Sequence, residues 1–90
     1  MDTQTLNPSI DLINDFQALQ VTIFEDEAGE KTRRMVEYFK QAETSSRGME
    51  LRTQDFEQKR FAKMLHEAFG ACSRIVLAAW QKAHGTELVA

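Results

Sequence analysis

The sequence predicts an all-α fold: an antiparallel helical hairpin or a three-helix arrangement with a long C-terminal helix. Three observations carry this. Apolar residues recur at three- and four-residue spacings over most of the chain, Pro is confined to position 8, and the β-branched run Val21-Thr22-Ile23-Phe24 has no second strand-like run to pair with. Ninety residues accommodate a single helical domain spanning 1–90, with tails at 1–7 and 86–90 expected to fray.

The first helix is expected near 8–24. Asn7 is placed to cap it, and Pro8 suits a first helical position because its missing N–H would be unpaired there. Leu12, Phe16, Leu19 and Ile23 then follow at spacings of 4, 3 and 4, widened by Ile10 and Ile13. Continuing that stripe would bury Asp26, Glu30 and Arg34, so the acidic run Glu25 to Glu30 interrupts it, and Gly29 marks a bend or break. A second stripe, Thr32, Met35, Val36, Phe39 and Ala42, predicts a helix near 28–43, either continuous with the first or broken from it near Gly29. The pairs Glu27 with Lys31, Glu30 with Arg34 and Glu37 with Lys40 support it weakly. Glu43-Thr44-Ser45-Ser46-Arg47-Gly48 reads as the hairpin turn.

The last helix is expected near 53–84, started by Thr53-Gln54-Asp55-Phe56 and stopped by His84-Gly85. Phe61, Leu65, Ala68, Cys72, Ile75, Ala79 and Ala83 form a nearly heptad seam, with Phe69, Val76 and Trp80 on one flank and Met64, Ala71 and Ala78 on the other. This is more apolar circumference than one hairpin partner covers. Phe69, Val76, Leu77 and Trp80 are accordingly the expected partner-binding residues: Leu77 falls on an otherwise polar side, and Trp is enriched in binding hot spots.

Charge and cysteine content exclude several classes. The net charge of −3 divides into 4 Lys/Arg against 9 Asp/Glu in residues 1–45 and 7 against 5 in residues 46–90. The overall acidity, with a pI near 5.3, opposes general nucleic-acid binding. Lys59, Arg60 and Lys63 form a small basic patch that Asp55, Glu57 and Glu67 dilute. No apolar run is long enough for a membrane span, and the start lacks a secretory signal, so a cytoplasmic location is expected. Cys72 lacks a second cysteine to pair with.

No enzyme signature emerges, and no catalytic residue, cofactor or metal is expected. His66 and His84 would lie about 27 Å apart along one helix. His66-Glu67 lacks the second His of a zinc-protease motif, and Cys72 on an apolar seam is a packing residue rather than an activated nucleophile. The acidic run lacks the alternating spacing of a calcium loop.

The C-terminal run Glu67-Ala68-Phe69, Ile75-Val76, Trp80, Lys82, His84 and Leu88-Val89 resembles the last helix and tail of small helical-hairpin chaperones of bacterial type III secretion, which hold needle or translocon subunits before export. The resemblance covers about a quarter of the chain. It implies a cytoplasmic, non-enzymatic protein that masks an apolar helical client. The reading of the residues reaches the same class: a helix-binding chaperone or adaptor, pairing with a client or with itself as a dimer. Two alternatives stand beside it, a self-assembling subunit of a secretion filament and a small transcriptional or stress regulator using Lys59, Arg60 and Lys63.

Overall fold

The computed structural model describes residues 8–89, and among them every regular element is helical: α1 (Ile10–Gln17), α2 (Leu19–Glu25), α3 (Glu30–Arg52) and α4 (Phe56–His84). The described residues measure 44 × 23 × 21 Å. Twenty-nine residues of α4 at 1.5 Å each account for that long axis. α3 and α4 form the antiparallel hairpin, and α1 and α2 lean against its open end.

Each boundary has a local cause. Ser9 caps α1, its hydroxyl accepting the Leu12 N–H at 3.1 Å, so Pro8 precedes the cap instead of opening the helix. Asn7, the expected cap, lies outside the described residues. The helix expected over 8–24 breaks at Ala18 (φ −111°, ψ 46°). Packing explains the break, since neither Gly nor Pro is there. Phe16 meets Phe39 of α3 edge-on at 5.3 Å, whereas α2 turns toward α4, where His84 Nε2 lies 2.7 Å from the Ile23 carbonyl. The segment around Val21 is helical, which removes the strand alternative.

The interruption expected at Gly29 is a full turn. Gly29 sits at φ 79°, a left-handed conformation that costs an L-residue about 1–2 kcal/mol, and serves as the N-cap of α3. Gly29 has no side chain to cap with, and Asp26 does so from three residues earlier. Its carboxylate accepts both the Thr32 N–H and the Thr32 hydroxyl at 2.8 Å. Burial pushes the Asp26 carboxyl up, but these bonds, with the Lys31 amide and charge, outweigh it and hold it below its ordinary value. The acidic elbow is therefore a capping device at Asp26, with the remaining carboxylates exposed.

The hairpin turn is not at residues 43–48. α3 runs through them to Arg52, and the turn is residues 53–55. The polar residues mark a close approach of helices: Ser46 is buried, and with Ala42, Ala62, Gly70 and Ser73 it gives the seam between α3 and α4 small side chains. A Cβ on Gly70 would stand 2.9 Å from the Glu43 carboxylate, so the glycine leaves room for that side chain of α3 against α4. Asp55 starts α4 as expected, accepting from the Glu57 and Gln58 N–H groups at 2.9 and 3.1 Å. Gly85, at φ 75°, ends it.

Large residues fill the other end of the hairpin. Ile23, Met35, Val36, Phe39, Val76 and Trp80 make the core. Residues 86–89 have no regular structure, yet they lie back over this end: Leu88 packs on the core, and Arg33 holds the elbow and these residues together by donating to the Ala28 and Val89 carbonyls at 2.8 and 2.9 Å.

Candidate functional site

The structure divides α4 lengthwise. Ala62, Gly70, Ser73, Val76 and Trp80 are buried, and Phe69, Leu77 and His84 are half-buried beside them. At 100° per residue these positions share one side of the helix, the side that meets α3, α2 and the tail. The expected seam is thus rotated. Phe61 and Ile75 remain 53% and 55% exposed, and Ala68 and Ala83 are exposed too, because a seam lined by Gly70 and Ser73 lets α3 come closer than one lined by Phe61 and Ile75.

The same rotation relocates the four expected partner-binding residues. Val76 is fully buried and Trp80 is 6% exposed, both in the core, while Phe69 and Leu77 pack against that core. The expectation is corrected for Val76 and Trp80, which the chain's own helices and tail cover; Phe69 and Leu77 stay partly exposed beside them. Trp80 stacks on His84 with ring centroids 3.8 Å apart, and its indole N–H is buried without a hydrogen-bond partner. Phe69 joins Tyr38 and Phe39 in an aromatic cluster, and burial pushes the Tyr38 phenol up, keeping it neutral.

What α4 turns outward is a second apolar face. Phe61, Met64, Ala68, Ala71, Ile75 and Ala78 follow alternating spacings of 3 and 4, the a and d positions of a heptad, on the side roughly opposite the core. Met64 is 57% exposed, and Ala78 is exposed with it. Glu67 and Arg74 border this face on one side, and half-buried Leu65 and Cys72 on the other. The sequence showed the residues but not the side they take. Gly70 and Ser73, small and in register with Ala62, were the available signal for the inward face.

Other candidates are weaker. The His66 imidazole Nδ1 lies 3.1 Å from the Glu43 carbonyl and His84 is tied to Ile23, so both imidazoles link helices. In the basic patch, Lys59 donates to the Glu50 carbonyl at 2.8 Å and Arg60 lies over the Phe56 ring, so two of its three cations face the hairpin's own tip. Val21 and Phe24 line a shallow open depression rimmed by Gln20, Glu25 and Glu27. Among the described residues, no group of His, Cys, Asp and Glu has the arrangement of a metal site, and no helix is long and apolar enough to cross a membrane.

No curated protein and no solved structure matches the chain significantly. A family model does, over residues 3–82: that of HrpD6, described as a type III secretion system regulatory protein. The match spans all four helices up to the last turn of α4 and supports the type III secretion link that the C-terminal resemblance implied. The chain belongs to the HrpD6 family of type III secretion system regulatory proteins.

Proposed function

We propose that this protein is a non-enzymatic cytoplasmic regulator that works by protein contact, docking an apolar helix of a secretion component in the manner of a chaperone or adaptor. One observation supports this above the others: the outward heptad face of α4, whose large members Phe61, Met64 and Ile75 are each more than half exposed. Contiguous apolar surface of this kind marks interaction sites, and an amphipathic partner helix is its natural complement. Phe69, Val76, Leu77 and Trp80 then act from behind, fixing α4 to the hairpin so that its outer face is rigid. The face also suits a second copy of the chain.

The test is titration of a needle or translocon subunit from the same secretion system with the purified chain and its Ile75→Glu variant. Because Ile75 points outward, the variant keeps its helical circular dichroism, and its affinity for the client falls at least about tenfold, the loss of one buried aliphatic side chain. Equal affinity of variant and parent would remove the outer α4 face as the client's docking site.

A further inference from the structure

The geometry points to a specific occupant of the outer α4 face, a second copy of the same chain in antiparallel orientation about a twofold axis passing between residues 69 and 70. This rests on the reading of that face as a protein-docking surface and names the partner. In an antiparallel helix pair, a positions of one helix face d positions of the other. The register that places Ala68 against the partner's Ala71 also places Met64 against the partner's Ile75 and Phe61 against the partner's Ala78. Large side chains therefore meet small ones at the ends, two medium ones meet between, and the alanines at the centre allow close approach of the backbones. The twofold repeats each contact.

Charge decides the orientation. In this register Glu67 lies beside the partner's Arg74, and Glu57 faces the partner's Lys82. Each pair occurs twice, and all four side chains are exposed. The parallel alternative sets Lys82 against the partner's Lys82 and Phe61 against the partner's Phe61, and puts Glu67 beside the partner's Cys72, so it gains no ion pair and adds a like-charge contact. Flanking charges of this kind set pairing and orientation more than affinity. Leu65 and Cys72, half-buried in the single chain, face each other across the other flank and complete the contact.

The test uses the full chain in a Cys72→Ser background. Sedimentation is expected to show a dimer, and Met64→Glu a monomer with unchanged helicity. Differently tagged Phe61→Cys and Ala78→Cys chains, mixed and oxidised, are expected to form the mixed disulfide. Phe61→Cys alone does not link to itself, because antiparallel pairing separates the two copies by about 26 Å. Glu67→Arg and Arg74→Glu each weaken the dimer by about 2- to 30-fold, the range for two exposed ion pairs, and combined in one chain they restore it. A chain monomeric at hundreds of micromolar, or self-linking of Phe61→Cys, overturns the proposal. Monomeric chain with client binding still lost in Ile75→Glu overturns the pairing and leaves the docking face. A dimer of this register whose client binding ignores Ile75→Glu supports the pairing and removes the client reading.

Discussion

Replacing Trp80 by Ala separates a core role from a surface role more sharply than any other single change. Trp80 is 6% exposed, lies in the cluster with Ile23, Met35, Val36, Phe39 and Val76, and stacks on His84. Truncating a buried aromatic costs about 3–5 kcal/mol. Against that stands a relief: the indole N–H is buried without a partner, a burden of about 1–3 kcal/mol in the parent that Ala removes. The net expectation is a loss of about 2 kcal/mol, a substantial part of the roughly 4–13 kcal/mol that a 90-residue domain has in total. Trp80→Phe keeps most of the ring contact and discards the unpaired donor, so it is expected within about 1 kcal/mol of the parent. Urea unfolding followed by circular dichroism at 222 nm is the assay, because Trp80 is the sole tryptophan and its fluorescence vanishes with it. All variants are compared at one chain concentration, since the proposed pairing would make midpoints depend on it. An unchanged midpoint in Trp80→Ala would refute the placement of Trp80 in the core and return it to the surface role its residue type suggests.

The remaining predictions concern the start of α3 and its length. Asp26 has a carboxyl held below its ordinary value, so its contribution is fully present above the unfolded-state pKa near pH 4 and is lost as pH falls through the lower folded value. Asp26→Asn is expected to flatten that acid limb of the stability curve, and Thr32→Val to cost about 1–2 kcal/mol at neutral pH by removing the hydroxyl bond; an acid limb unaltered by Asp26→Asn would exclude the cap. Gly48 lies inside α3, where a Cβ would meet only the movable guanidinium end of Arg52, so Gly48→Ala is expected to stabilise the chain by about 0.5–1 kcal/mol. Gly29→Ala is expected to destabilise it by at least about 1 kcal/mol, because φ is 79° and the new Cβ would press on Leu88. Thermal melts check the pair, and a Gly48→Ala variant less stable than the parent would argue for the turn the sequence suggested at 43–48.

The sequence by itself determined what depends on neighbours along the chain. Periodicity made the fold all-α, Asp55 and Gly85 bounded the last helix, and Gly29 marked the interruption after the first stripe. Local signals failed where a residue's environment comes from another helix. Ser46 and Gly48 read as turn residues, yet α3 continues through them because Ser46 fits the narrow seam against α4, a gain no local propensity contains. Ala18 carries no breaking tendency, yet the chain bends there because α1 packs on α3 whereas α2 packs chiefly on α4.

The candidate site was half legible for the same reason. A helix apolar around most of its circumference has more than one candidate inner face, and its pattern does not say which of them the hairpin covers. That choice belongs to the tertiary structure, and it turned on size: Ala62, Gly70 and Ser73 let α3 approach closely, so Val76 and Trp80 went inward with them and Phe61, Met64 and Ile75 were left outside. Periodicity fixes the angle between two residues on a helix. Only packing against another helix fixes where that angle points.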